Sequence, residues 1–251
     1  MTLKEKIKGG KLTLGSWITI GNSAVAEILA KAGFDWLAID MEHTTINVDQ
    51  CADLIRVIDL CGVAPFVRVG ANDSLLIKQA MDAGAHGVIV PMVNSKEEAE
   101  RAVESVKYPP VGKRGIGLAR AQGYGTTFNE YKDWAANESI VIVQIEHIDA
   151  VNNLEEIFSV EGVDAFIVGP YDLSGSLGVP GDFEDKKVEE ALDKIVDISK
   201  NMNMSSGYHV VSTDYNLVKE KIKQGYSFIA YGVDFLFLGE SARGGLAAIK
   251  N

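Results

Sequence analysis

The feature that most constrains this chain is a repeat of short apolar runs, each followed by a longer amphipathic stretch. The runs are Leu14–Ile20, Asp35–Met41, Ala64–Gly70, Gly87–Met92, Ile140–Glu146, Ala165–Gly169, Ser205–His209 and Phe228–Gly232. Most are apolar at successive positions rather than alternate ones, so both faces of each strand must be covered, as in a parallel sheet wrapped by helices. Between them, Ser74–Ala83, Ser95–Lys107, Lys186–Met202 and Asp214–Gln224 carry helical periodicity. Gly33, Gly62, Gly84 and Gly225 each stand between a helical stretch and a new strand, where glycine ends a helix. Eight strand–helix units in 251 residues predict one domain over 1–251, an α/β fold of the (β/α)8 TIM-barrel type. A doubly wound open sheet is the alternative, but the first strand lacks the glycine-rich turn of a dinucleotide fold.

Composition narrows the function classes. A hydrophobic share of 47% supports a large core, and no apolar run reaches the roughly 18 residues of a membrane span. The charged start of the chain lacks the apolar stretch of a secretory signal. Two cysteines, Cys51 and Cys61, fit neither a disulfide framework nor a zinc pattern. A cytoplasmic protein is expected. A net charge of -11 argues against a nucleic-acid surface, which needs clustered Lys and Arg.

In such a barrel, chemistry collects where strands end and loops begin. The polar residues there are Asp40, Glu42 and His43 after the second strand, Arg68 on the third and Gln144, Glu146 and His147 on the fifth. Tyr171 and Asp172 follow the sixth, and His209 ends the seventh. Charged groups on so many strand ends are costly as packing. Glu146 and Asp172 form an oxygen-rich pair suited to Mg²⁺ or Mn²⁺; the alternative is an ion pair with Arg68 that only closes the barrel. If the loop bends back, Asp40 can hold one imidazole nitrogen of His43 and leave the other as a general base; otherwise both are solvated, and Glu42 is a second possible partner. Trp17 is either an aromatic wall of the site or core. His147 should point away from Glu146, His86 opens a strand at the opposite end, and His209 can line the pocket. No strand end carries a lysine for Schiff-base chemistry.

Six segments together are similar to one family: Leu37 to His43, Val67-Arg68, Val90 to Val93, Tyr108 to Gly115, Val143 to Glu146 and Val168 to Ser174. In order and spacing they resemble the HpcH/HpaI aldolase family of class II pyruvate aldolases, from about Gly15 to Ala247. The resemblance implies a metal-dependent carbon–carbon lyase that cleaves a 4-hydroxy-2-oxo acid to pyruvate and an aldehyde, as a homo-oligomer, trimer or hexamer, whose last helix packs on a neighbouring subunit. It implies Glu146 and Asp172 as ligands of a divalent metal (Mg²⁺ or Mn²⁺, with Co²⁺ a further option), His43 and Asp40 as the base dyad, and Arg68 on the keto oxygen. Gln144 matches a glutamine supporting the ligands, Asp82 an acidic residue reaching the adjacent subunit's site, and the N–H groups of Tyr171 and Asp172 a carboxylate cradle. Tyr171 and His209 depart from the small and aliphatic residues common at those places, which leaves the aldehyde open. The competing readings are a decarboxylase acting on a 2-oxo acid such as oxaloacetate and a non-catalytic binding protein.

Overall fold

The computed structural model describes residues 1–250. Helix α1 (Leu3–Lys8) precedes β1 (Thr13–Ile18), α2 (Ser23–Ala30), β2 (Trp36–Asp40), α3 (Val48–Leu60), β3 (Ala64–Arg68), α4 (Ser74–Ala83) and β4 (Gly87–Val90). After α5 (Lys96–Val106) a long connection leads to α6 (Phe128–Asn137) and β5 (Ile140–Ile145). Then come α7 (Ile148–Asn152), α8 (Leu154–Phe158), β6 (Ala165–Val168), α9 (Pro170–Ser176) and α10 (Lys186–Asn201). The chain finishes with β7 (Ser205–Val210), α11 (Tyr215–Gln224), β8 (Phe228–Val233) and α12 (Asp234–Lys250). The eight strands pair in sequence order, all parallel, and β8 pairs with β1 to close the ring. The expected (β/α)8 barrel is the fold.

Alternation along the strands sorts the residues into two layers. Leu37, Ile39, Val67, Val141, Val143, Ile145 and Phe166 face outward into the main core beneath the helices. Trp36, Ala38, Phe66, Ile140, Ile142, Ile167, Phe228 and Ala230 fill the barrel itself. Continuing each inner row by two residues toward the C-terminal mouth reaches Asp40, Arg68, Gln144 then Glu146, and Gly169. The rows that pack the centre thus carry the polar groups at the top.

At the opposite, lower mouth, α1 acts as a plug. Thr2 and Glu5 form its capping box, and Ile7 is fully buried among the inner residues. Trp36 and Phe228 stack there at 4.4 Å, and Gly15 has no room for a Cβ, which would lie 2.1 Å from the Trp36 ring. Below them Lys107 is buried, its Nζ donating to the carbonyls of Ala135, Ala136 and Ser139 and to Ser139 Oγ.

Element ends differ from the sequence expectation for identifiable reasons. β1 stops at Ile18 because the N–H groups of Thr19 and Ile20 leave the ladder and donate to Asp234, each at 2.8 Å. Ser95 and Asp214, read as helical, are N-caps whose side chains accept from the first turn. Gly84 and Gly225 are left-handed C-caps as expected, whereas Lys31 and Cys61 cap α2 and α3, with Gly33 and Gly62 following them. Beyond Asp234, α12 stands largely exposed, with Phe235, Leu238, Leu246 and Ile249 uncovered. Among the described residues, no helix is long and apolar enough to cross a membrane.

Candidate active site

The register of β2 against β3 sets Asp40 beside Arg68. Their side chains meet in a two-pronged pair, Arg68 Nε to Asp40 Oδ1 at 3.0 Å and Nη2 to Oδ2 at 2.7 Å. Burial pushes the Asp40 carboxyl up, but Arg68 and the N–H groups of Glu42 and His43 outweigh it and hold it below the usual carboxylate range. Arg68 also approaches Glu42 at 3.3 Å, stacks 4.4 Å over Trp17, and keeps Nη1 without a hydrogen-bond partner among the described residues.

The loop after β2 does bend back, in a way the sequence did not specify. Asp40 Oδ1 accepts the backbone N–H of His43 at 3.2 Å and of Glu42 at 3.0 Å, so it fixes the main chain and not the imidazole. The acid nearest the exposed His43 ring is Glu42, 3.7 Å from Nε2. Burial pushes Glu42 above its usual range, only partly offset by Arg68 and His43. The side-chain dyad expected between Asp40 and His43 is therefore not formed.

Glu146 lies just past β5 on the same side as Gln144, two residues before it. It is buried; Oε1 accepts the Met92 N–H at 2.7 Å and Oε2 accepts from the Gln144 amide. Burial pushes its carboxyl up to about 7, and the charges of Glu42 and Asp172 push the same way, against the Met92 and Gln144 donors. Gly169 opposite has no side chain for a steric reason: a Cβ would lie 2.9 Å from Glu146 Oε2 and 3.0 Å from Gln144 Nε2. Gln144 Oε1 and Glu42 Oε2 are buried without a hydrogen-bond partner. Arg68 pairs with Asp40 and Glu42, so the alternative in which it neutralises Glu146 and Asp172 does not occur.

Asp172, in the first turn of α9, is exposed and lines with Glu146 a cavity of about 530 Å³. A neighbouring cavity of about 310 Å³ is lined by Trp17, His43, Arg68, Gln144, Asp172 and His209, among others. Tyr171 lines both, its exposed ring set edge-on to Phe183 at 5.0 Å. Most of the expected site residues thus converge. Asp82, expected to reach the site of an adjacent subunit, is held on α4 by Arg114 at 2.5 Å and Gln122 at 3.2 Å. His147 is the N-cap of α7 and lines the cavity that Glu146 and Asp172 share, whereas His86 pairs with Asp59 at 3.3 Å away from the Arg68 cluster.

Two groups here were missed from the sequence. Thr19, on the wall of an adjoining cavity with Asp40 and Arg68, gives no signal in the sequence beyond its place after β1. Met92, whose N–H holds Glu146 and whose backbone is left-handed at φ 52°, lies in the Val90 to Val93 segment, but nothing in the sequence marks this contact.

Comparison with known proteins agrees with this geometry. The profile of the HpcH/HpaI aldolase/citrate lyase family matches residues 13–239. A 4-hydroxy-2-oxo-heptane-1,7-dioate aldolase of Shigella sonnei (strain Ss046) is 37% identical, over 96% of this chain and 92% of its own. A 2-dehydro-3,6-dideoxy-6-sulfogluconate aldolase of Pseudomonas putida is 38% identical, over 97% and 95%. The crystal structure of a family protein from Burkholderia cenocepacia J2315 superposes with a TM-score of 0.94 at 32% identity, covering 99% of both chains. With its barrel, its mouth and its sequence in agreement, the chain belongs to the HpcH/HpaI aldolase/citrate lyase family.

Proposed function

We propose that this chain is a pyruvate-releasing aldolase, a carbon–carbon lyase that reversibly splits a 4-hydroxy-2-oxo acid into pyruvate and an aldehyde. The observation that carries the reading is the unbalanced charge at the upper mouth: Glu42 and Asp172 press on the buried Glu146, no cation is among the groups acting on it, and Arg68 is taken by Asp40 and Glu42. Members of the family generally depend on a divalent metal. The donor set fits one: a buried carboxylate pushed toward its neutral form, a second carboxylate beside it, and a neighbouring amide oxygen without a partner. Glu146 and Asp172 would hold the ion. Among the described residues no third His, Cys, Asp or Glu joins them, which leaves positions for water and substrate oxygens. Hard oxygen donors favour Mg²⁺ or Mn²⁺. Such an ion supplies Lewis-acid stabilisation of the negative charge that a 2-oxo acid gains as its bond breaks.

The chain's own groups do the rest. The N–H groups of Tyr171 and Asp172, in the first turn of α9, have no intrahelical partner and receive the substrate carboxylate. Arg68, fixed by Asp40, keeps Nη1 free for the keto oxygen and adds positive charge where the enolate forms. His43 takes the proton from the 4-hydroxyl in cleavage and from the pyruvate methyl in synthesis. Asp40 serves it through the backbone. The exposed apolar residues of α12 support a homo-oligomer in which this helix docks on a second copy of the chain. Free Cys51 and Cys61 suit a reducing compartment, and we place the enzyme in the cytoplasm.

The test is turnover of pyruvate with a panel of aldehydes, before and after complete chelation by EDTA and again after adding Mn²⁺. Activity should vanish on chelation and return with the ion. Undiminished turnover without metal would sink the reading, and CO₂ release from oxaloacetate without any aldehyde product would replace it with decarboxylation.

A further inference from the structure

His209 gives the cavity a group that the aldol reaction itself does not require. It stands at the upper end of β7, partly exposed, with its ring 5.1 Å from that of Trp17. Its Nε2 lies 3.4 Å from the carbonyl oxygen of Gly232. A carbonyl only accepts, so the ring proton belongs on Nε2 and the lone pair on Nδ1. Nδ1 has no hydrogen-bond partner among the described residues, in a ring that lines the cavity beside Tyr171 and Val211. Burial, reinforced by the charge of Arg68, pushes the imidazolium form down to about 3, so the ring is neutral under working conditions. The cavity wall therefore offers a fixed acceptor and an aromatic surface.

The wall is also short of positive charge. Among the described residues Arg68 is the one Lys or Arg lining this cavity, and it is engaged by Asp40 and Glu42. A carboxylate at the far end of an aldehyde would find no cation there, whereas a hydroxyl would find the imidazole nitrogen.

We propose that His209 sets the choice of aldehyde: its Nδ1 accepts a hydrogen bond from a hydroxyl of the aldehyde half, so that uncharged hydroxyaldehydes are preferred to carboxylated or plain alkyl ones. The proposal rests on the aldolase reading above and names the substrate class of that site. A polar group built to meet a hydroxyl discriminates against the analogue lacking it more sharply than an apolar wall does.

The experiment uses the full chain loaded with Mn²⁺, saturating pyruvate, and three acceptors: hydroxyacetaldehyde, its near-isostere propanal, and succinic semialdehyde. In the unaltered protein kcat/KM should be highest for hydroxyacetaldehyde. His209→Leu should lower the hydroxyacetaldehyde-to-propanal ratio by roughly tenfold, the worth of one hydrogen bond. His209→Asn, whose Oδ1 stands near the position of Nδ1, should recover part of it. An unchanged ratio in a folded His209→Leu protein overturns the proposal, as does a preference of the unaltered protein for succinic semialdehyde. If the leucine variant does not fold, the ranking by the unaltered protein and the asparagine variant decides. Exchange of the pyruvate methyl protons in D₂O separates the two levels. Exchange without hydroxyl preference removes the role of His209 alone, and neither exchange nor turnover in folded, metal-loaded protein removes the aldolase reading with it.

Discussion

At its lower mouth the barrel buries Lys107 among four oxygen acceptors, and pairs Lys4 with the buried Asp164 at 3.1 Å. At its upper mouth it buries Glu146 and half-buries Glu42 with fewer partners than their oxygens can accept, and leaves an amide oxygen of Gln144 without any. Both ends take ionisable groups out of water, at similar cost. Below, the chain's own carbonyls and lysines meet these charges, with Asp164 Oδ1 held by an ion pair and no hydrogen bond, and the end is closed by a helix. Above, satisfaction is left to something that arrives from solution. Buried charge is thus not a sign of function until one asks who balances it.

Five substitutions can break or sharpen this contrast. Arg68→Ala removes the cation from the upper mouth and should lower kcat by about 10²–10³ or more, as loss of an oxyanion donor does. Steady-state kinetics with a thermal melt would separate lost chemistry from lost structure, and wild-type kcat would remove Arg68 from the mechanism. His43→Ala should cost about 10²-fold or more in kcat with little change in melting temperature, because the ring is exposed and makes no buried contact. Equal loss in a Glu42→Gln variant would show that the ring depends on its nearest acid. Lys107→Met should do the reverse, leaving kcat intact and costing roughly 1–3 kcal/mol, since the carbonyls it serves stay buried without a donor. Denaturant titration measures this, and a fall in kcat instead would erase the distinction between the ends. The smallest effect is on the acid dependence of stability, read in Asp40→Asn. Asp40 is held below its ordinary value of 3.8, so the stability it lends is present above that pH and is lost as pH falls toward the lower folded value. The variant's melting temperature should fall less steeply over that acid range, and parallel acid profiles would show that the pair contributes nothing there.

The architecture was legible in the sequence because a period of two and a period of 3.6 leave different marks, and because strands covered on both faces read as unbroken apolar runs. The polar ends of those runs announced Asp40, Arg68, Glu146 and Asp172 as neighbours in space. What was hidden was everything decided by register and side-chain reach. Nothing local says that Arg68 takes Asp40 and Glu42 in place of Glu146, since that follows from the alignment of β2 on β3. The choice of Asp40 for backbone N–H groups over the His43 ring follows from a tight loop turn. The plug α1 was also illegible: the start of the chain read only as charged, yet Ile7, with Leu3 beside it, packs on the inner residues of the barrel. Likewise α6 went unread, because it follows a stretch punctuated by Gly112, Gly115, Gly117, Gly123 and Gly125.

The seam between β8 and β1 has a consequence for how the molecule comes into being. Asp234 binds the N–H groups of Thr19 and Ile20 across more than two hundred residues of sequence. Neighbouring strands such as β2 and β3 can associate as soon as each is made, but the ring cannot shut until the final strand exists. Asp40 and Arg68 can therefore find each other early in synthesis, while the imidazole on β7 reaches its carbonyl partner on β8 only at the last step. The pocket is complete when the circle is, and not before.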